Sequence, residues 1–322
     1  MNKRAGVQGE GQMATTIGFI GLGRMGGAIS ANLLASGYSV VGCDLSRKRL
    51  RELEALGGQA AASAEEAAAR SRVLMISVPE DKDVERVLLG PKGALGGLRR
   101  GGVVTDFSTL LPSTSQRMAE ALGKIGAHYL DTPISGNRAI TRKREGTLMA
   151  GGDERAFRRV LPVLRKITHR QFYLGPSGRG ALGKLVMNTV SELNRTALAE
   201  GLTFGMAGGI DGRLLLEVLA SGSAYSKQID HKGMRMVKQD FKDPEGTIEM
   251  CVKDAEHMLE TARGLGAPLP LTALRCQLYQ AIVRMDHAED DPASIFALYQ
   301  ALMGRKKAAV SGVKKGRRRR SA

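Results

Sequence analysis

Three features of the 322-residue sequence predict an α/β fold in which a doubly wound sheet is followed by an all-α carboxy-terminal domain. The first is a strand, glycine turn, helix and second strand in immediate succession over residues 16–44. The second is a set of short apolar runs separated by helical segments, reaching residue 174. The third is Gly175-Pro176-Ser177-Gly178, beyond which the apolar spacing becomes almost wholly helical.

Residues 16–44 carry the organising element. Ile17, Phe19 and Ile20 lead into Gly21-Leu22-Gly23-Arg24-Met25-Gly26, a G-x-G-x-x-G match, after which Met25, Ile29, Leu33 and Leu34 recur at helical spacing. Gly21 permits a tight turn, Gly23 lets the backbone approach a pyrophosphate, and Gly26 lets the helix pack closely on the sheet. The helix N-terminus then faces the anion. In a chain with 41 glycines such a match is weak alone. The strand over 38–43 strengthens it by ending at Asp44, where a carboxylate can accept hydrogen bonds from ribose hydroxyls. The element predicts a Rossmann-type dinucleotide site formed by Gly21, Leu22, Gly23, Arg24, Met25, Gly26 and Asp44.

Along the chain, a helix is expected over 46–56 with Ser46 at its cap position. Arg47 and Lys48 lie beside the expected ribose, but Asp44 would repel a 2′-phosphate, so NAD is the expected cofactor and NADP the alternative. An alanine-rich helix follows over 61–70. Residues 73–78 form a compact apolar run suited to a buried parallel strand, which Pro79 stops. Strand ends line the ligand crevice of such a sheet, placing Val78 and Pro79 along the dinucleotide. The next strand, 103–106, leads into Phe107-Ser108-Thr109 and a helix over 113–125. Residues 128–130 lead into Asp131-Thr132-Pro133-Ile134-Ser135-Gly136-Asn137, a loop whose Ser, Gly and Asn offer donors to a substrate. A helix over 154–167 and a last strand over 171–174 precede the break. A long helix over 181–206 then sets Lys184 and Asn188 four apart on one face. Further helices are interrupted at Gly208-Gly209, Gly222, Pro244 and 266–270.

These boundaries divide the chain into an extension over 1–15, a dinucleotide-binding domain over 16–177, a helical substrate and oligomerisation domain over 178–304, and a tail over 305–322. The net charge is +16, and nine positive residues without an acid fall in 305–322, which leaves +7 for the rest. The tail reads as a solvated, self-repelling segment that could add salt-sensitive binding to nucleic acid. No run approaches the roughly 20 apolar residues of a membrane span. The first fifteen residues lack the apolar core of a signal peptide, so a cytoplasmic location is the default. Cys43, Cys251 and Cys276 have no spacing that suggests a disulfide framework or zinc site, and no metal is expected.

With these residues assembled, the chain from about 16 to 302 resembles the β-hydroxyacid dehydrogenases, relatives of 3-hydroxyisobutyrate, tartronate semialdehyde and 6-phosphogluconate dehydrogenase. GFIGLGRMGG resembles the family's amino-terminal signature, DFSTLLPST its nicotinamide loop and DTPISG its substrate loop. GRGALGKLVMN reproduces its G-x-G-x-x-x-K-x-x-x-N pattern with Lys184 and Asn188 in register. VKDAEHMLETARGLGAPLPL resembles a late segment with a lysine–aspartate pair, here Lys253 and Asp254. The substrate loop departs from the usual Ser-Gly-Gly with Ser135-Gly136-Asn137, and its following Gly-Thr-Leu comes two residues late, which bears on substrate identity.

The resemblance implies hydride transfer between a nicotinamide and a small 3-hydroxy acid, or its semialdehyde or keto acid, by homodimers or homotetramers. Loss of hydride from the carbinol carbon requires a base for the hydroxyl proton, and Lys184 is the candidate. An ammonium at its reference pKa of about 10.4 is a poor base near neutrality, so burial and the positive nicotinamide are expected to lower it. Asn188 would position the substrate, with Ser135, Gly136 and Asn137 binding its carboxylate. Ser108 and Thr109 would line the cofactor, and Lys253 would close the site onto substrate or nicotinamide. Leu202, Met206 and Leu215 could serve a subunit interface or the core. The cluster Arg138, Arg142, Lys143 and Arg144 reads as a solvated face, or as a selector for a second negative group on the substrate. Two other functions fit less well: an imine reductase on the same scaffold needs no alcohol base such as Lys184, and a nonenzymatic binder acting through the tail would have no use for Lys184 and Asn188.

Overall fold

The computed structural model describes residues 15–304; the amino-terminal extension before them and the basic tail over 305–322 lie outside the described residues. Two compact units make up the chain. One contains the residues up to Ser191 together with Met250–Ala273, the other Glu192–Glu249 and the residues from Leu274 onward.

The first unit is built on a nine-stranded sheet. Strands β1 (Thr16–Ile20), β2 (Ser39–Cys43), β3 (Gln59–Ala60), β4 (Val73–Ile76), β5 (Val103–Asp106) and β6 (His128–Asp131) are parallel and stand in the order β3-β2-β1-β4-β5-β6. Strand β7 (Ile134–Ser135) and β8 (Thr147–Gly152) extend this edge with antiparallel pairing, and β9 (Arg170–Gly175) pairs parallel to β8. The strand order changes direction between β1 and β4, the place where such sheets open a crevice at their carboxyl ends.

Period-two alternation along the strands divides the core between the two faces of the sheet. Ile17, Phe19, Val40, Met75, Val103 and Leu130 pack with helices α1 (Arg24–Ala35) and α2 (Arg47–Ala55). Ile20, Val41, Leu74, Ile76, Val104 and Tyr129 pack on the opposite side with α3 (Ala64–Ala69), α4 (Asp81–Leu89) and α5 (Pro112–Gly123). Every one of these strand residues is at most 3% exposed. Burial on both faces accounts for the continuous apolar runs in the sequence. A short helix α6 (Arg138–Arg142) and α7 (Glu154–Leu164) complete the series. Ser46 occupies the position before α2, but its side chain makes no capping bond. Its amide instead donates to Asp44 Oδ1 at 2.7 Å, so the carboxylate at the strand end does the organising.

Beyond β9 the chain is helical. Helix α8 (Arg179–Ala207) begins in the first unit, and α11 (Ile248–Leu265) contributes most of its length to that unit as well. The second unit contains α9 (Gly212–Ser221), α10 (Met234–Lys238), most of α12 (Pro270–Ile282) and α13 (Ile295–Leu302). A polar cluster lies at its centre: buried Arg275 pairs with buried Glu192, and Arg195 Nε donates to Tyr279 Oη at 3.0 Å. The Asp291 side chain, fully buried, receives Lys232 and Arg235. Such buried charges persist only when partnered. Leu202 is fully buried and belongs to this core, whereas Phe204, Leu214 and Val218 are among the exposed apolar side chains of this unit.

Candidate active site

At the head of α1 the three glycines answer to three different constraints. Gly21 has φ +84°, and a Cβ there would stand 2.2 Å from the Ser77 carbonyl oxygen; at Gly26 it would stand 1.9 Å from the Gly21 carbonyl oxygen. Both are required by the protein itself. Gly23 is not: its φ is −59°, and a Cβ would find nothing nearer than Arg49 at 3.5 Å. The space beside Gly23 is therefore a cradle that a side chain would occupy, as a backbone-held phosphate group requires. Asp44 fixes the same loop from β2, its Oδ2 accepting from Leu22 N at 2.7 Å while Arg49 approaches to 3.6 Å. These residues fit a dinucleotide.

A second carboxylate organises the other half. Asp131, 2% exposed at the end of β6, accepts from Gly178 N at 2.9 Å and Ala181 N at 2.8 Å, capping α8. Burial raises its pKa above the usual carboxylate range, and the backbone amides oppose that rise. Close packing explains the glycine spacing here: a Cβ on Gly180 would lie 2.4 Å from the Asp131 carbonyl oxygen. Lys184 is the sixth residue of the helix so anchored. Its Nζ donates to the Ile134 carbonyl oxygen at 3.0 Å, directly before Ser135 in β7.

One turn further along α8, Asn188 Nδ2 donates to Asp254 Oδ2 at 2.9 Å. Asp254 Oδ1 lies 3.2 Å from Lys253 Nζ, which itself donates to the Pro79 and Thr109 carbonyl oxygens, each at 3.1 Å. These two carbonyls end the β4 and β5 loops. The loops are also joined to each other, because Val78 N donates to Ser108 Oγ at 3.0 Å. Ser108 N in turn donates to Asp106 Oδ1, whose carboxyl, buried and bonded by Tyr129, is pushed up to about 6 by desolvation. A hydrogen-bonded series thus runs from Asn188 through Asp254 and Lys253 to the loops carrying Val78, Pro79, Ser108 and Thr109. Val78 stands beside Gly21, since a Cβ there would lie 3.0 Å from Val78 Cγ1.

Comparison with known proteins agrees with this geometry. Residues 16–175 match the family described as the NAD binding domain of 6-phosphogluconate dehydrogenase. Residues 178–299 match that described as NAD-binding of NADP-dependent 3-hydroxyisobutyrate dehydrogenase. The 2-(hydroxymethyl)glutarate dehydrogenase of Eubacterium barkeri is 30% identical over 288 residues, covering 89% of this chain and 96% of the relative. The chain belongs to the β-hydroxyacid dehydrogenase family. Among other members, the 2-hydroxy-3-oxopropionate reductase of Escherichia coli is 31% identical over 286 residues, covering 89% and 96% of the two chains. The crystal structure of 3-hydroxyisobutyrate dehydrogenase from Salmonella typhimurium superposes with a TM-score of 0.81 at 27% identity, over 88% of this chain and 99% of that one. The chain is accordingly an NAD(P)-dependent oxidoreductase acting on hydroxyl-bearing carbon.

Other side chains of this dehydrogenase have structural partners as well. Asn137 Oδ1 accepts from Ile140 N at 2.9 Å and caps α6. The basic cluster after it divides: Arg144 bonds the Arg165 carbonyl oxygen, Lys143 is exposed, and Arg138 and Arg142 line a cleft with α1 and α2. The sequence carries no local signal for Asp131, which lies 47 residues before the Gly178 amide it accepts. Nor does it mark His257, whose Nε2 lies 3.2 Å from Asp81 Oδ2 one helical turn beyond Lys253. Burial and the Lys253 charge hold His257 below the usual imidazole range despite Asp81. Nothing in a linear reading pairs residues so far apart. Among the described residues no group of His, Cys, Asp or Glu could hold a metal ion, and no helix is long and apolar enough to cross a membrane.

Proposed function

We propose that the dehydrogenase interconverts a small 3-hydroxy acid and the matching semialdehyde or keto acid, with Lys184 as general acid and base. The observation that carries this reading is the position of Lys184 Nζ, 3.0 Å from the Ile134 carbonyl oxygen and next in the chain to Ser135-Gly136. A group that handles a hydroxyl proton then adjoins groups that bind a carboxylate, which suits a substrate whose hydroxyl and carboxylate are only a few bonds apart. Ser135 Oγ and the Gly136 amide hold the carboxylate. In oxidation Lys184 Nζ takes the hydroxyl proton; in reduction it returns one to the nascent alkoxide. The nicotinamide supplies the hydride acceptor or donor. Asn188, its amide nitrogen given to Asp254, keeps its oxygen for the substrate hydroxyl. Lys253 holds the Pro79 and Thr109 loops along the cofactor.

The relatives named for 2-(hydroxymethyl)glutarate and 2-hydroxy-3-oxopropionate support a small, anionic hydroxy acid as the substrate class. The protein is read as cytoplasmic and as a homodimer or homotetramer, with exposed Phe204, Leu214 and Val218 supplying apolar surface. A panel of 3-hydroxy acids and semialdehydes assayed with NAD and NADP tests the reading. Turnover of at least one hydroxy acid is expected; turnover of cyclic imines with none of the hydroxy acids would overturn it.

A further inference from the structure

Helix α11 meets the crevice loops at two places, one helical turn apart. At the first, Lys253 Nζ donates to the Pro79 and Thr109 carbonyl oxygens. At the second, His257 Nε2 lies 3.2 Å from Asp81 Oδ2, while Asp81 Oδ1 accepts from Leu111 N at 3.0 Å. Asp81 is the first residue of α4 and Leu111 directly precedes α5. With the bond from Val78 N to Ser108 Oγ, these contacts join the β4 and β5 loops rung by rung, at a constant offset of 30 residues.

We propose that His257 is a positioning residue of this dehydrogenase: through Asp81 it clamps α11 to the paired loops, and so keeps Lys253 seated on Pro79 and Thr109. The proposal rests on the reading that these loops run along the nicotinamide half of the cofactor, whereas the clamp itself needs neither cofactor nor substrate.

Three features set this contact apart from a surface pair. It is sheltered: the His257 and Asp81 side chains are 13% and 19% exposed, whereas pairs held in open water contribute little. Its direction is fixed. His257 Nδ1 is buried with no hydrogen-bond partner among the described residues, so Asp81 alone sets the tautomer and places the proton on Nε2. Burial and the Lys253 charge hold the imidazole below its usual range, so near neutrality it is an uncharged donor. Asp81, Asp254 and Glu260 oppose that shift without reversing it. The contact is also shared, because one oxygen of Asp81 serves α11 and the other the start of α5.

Lys253 alone is a loose tether. It reaches the two carbonyls at the end of a flexible four-carbon stem, and its ammonium is shared with Asp254 at 3.2 Å. A shorter imidazole one turn on, bonded to a carboxylate of the loop region itself, removes freedom that the lysine stem leaves to the helix. Asp254 rides on the same turn as Lys253, and Asn188 donates to it at 2.9 Å. Movement of α11 therefore displaces the amide assigned above to the substrate hydroxyl, and a small misplacement of reacting groups is costly in rate. His257 acts only through these partners.

Hydrogen exchange of the cofactor-free protein, followed by mass spectrometry, measures the clamp directly. H257L keeps an apolar side chain of similar length and removes the donor. Its Val78 and Leu111 amides are expected to exchange at least about fivefold faster than in wild type, while the Leu22 amide, bonded to Asp44, stays within about twofold. H257Q carries its Nε2 the same number of bonds from the backbone as the imidazole does, so it should restore exchange to within about twofold of wild type. H257L should also bind NADH about fivefold more weakly, with ADP-ribose, which lacks the nicotinamide, within about twofold. With the hydroxy acid turned over fastest in the panel above, kcat should fall about tenfold in H257L, with KM within about twofold, and recover in H257Q. Unchanged exchange in H257L, equal acceleration at Val78, Leu111 and Leu22, or an H257Q variant as defective as H257L each overturns the clamp. Faster exchange with unchanged NADH affinity and kcat overturns the positioning role. Absence of hydroxy-acid turnover in the wild type counts against the substrate reading alone, and exchange and NADH binding still decide the clamp.

Discussion

Asp131→Asn probes how the reactive lysine is held. In the wild type each carboxylate oxygen accepts one amide of the α8 start, Gly178 N at 2.9 Å and Ala181 N at 2.8 Å. The variant keeps one acceptor and turns an NH2 group toward the other amide, leaving a buried donor unpaired. Loss of a cap costs about 0.5–2 kcal/mol, and an unsatisfied buried donor about 1–3 kcal/mol. Burial already disfavours the charged form of Asp131, so a neutral replacement recovers part of this. A net loss of about 2–3 kcal/mol is expected, or about 4–12 °C in Tm for a unit of this size. Because Lys184 sits only five residues past the helix start, its position loosens with the cap. Calorimetric melting and steady-state kinetics measure the two effects. We expect a lower Tm and a kcat reduced at least about tenfold, with dinucleotide Kd within about twofold, since the glycine turn is untouched. A variant with unchanged Tm, or one that loses Tm and keeps full kcat, would refute the link from Asp131 to Lys184.

Two further outcomes follow from the same geometry. Gly23→Ala should change stability by less than about 1 kcal/mol, because its Cβ meets nothing within 3.4 Å, yet weaken dinucleotide binding about tenfold or more; Gly26→Ala, with a Cβ 1.9 Å from the Gly21 carbonyl oxygen, should fail to fold stably. Denaturation curves with cofactor titrations distinguish the two, and tight binding by Gly23→Ala would show that no backbone-held phosphate lies there. For Asp106, the carboxyl is raised to about 6 by burial, so between an unfolded value near 4 and about 6 the native state holds the extra proton. Stability therefore falls as pH rises through that window, by up to about 3 kcal/mol, and then levels. Urea midpoints taken across it should fall for the wild type and flatten in Asp106→Asn; parallel profiles would contradict the assignment.

What could be read from the sequence was local. The glycine turn, the strand ending at Asp44 and the i, i+4 pair Lys184 and Asn188 are each encoded within one element, and apolar runs such as Leu74-Met75-Ile76 announce a doubly covered strand. The charge roles were harder, because the same residue types serve capping and binding. Asn137, expected as a substrate donor, also caps α6 through its Oδ1, and Asp131, expected as a loop residue, caps α8. Contacts across large separations left no trace in one sequence: Asn188 with Asp254, and Lys253 with the Pro79 and Thr109 carbonyls. The basic cluster was visible as composition, but only the fold shows that Arg138 and Arg142 lie on the cleft with α1 and α2 while Arg144 bonds the Arg165 carbonyl. The antiparallel β7 and β8 edge was also hidden, since β7 has only two residues and no usable period.

The division of labour between the glycine turn and α8 is tested most directly by Lys184→Ala, with hydride transfer followed by nicotinamide absorbance and cofactor Kd measured separately. Removal of a general acid–base group should lower kcat by about 10²–10⁴, with dinucleotide affinity within about twofold of wild type. Retained hydride transfer would contradict Lys184 as the proton carrier, and loss of dinucleotide binding together with activity would contradict the separation of cofactor binding from chemistry.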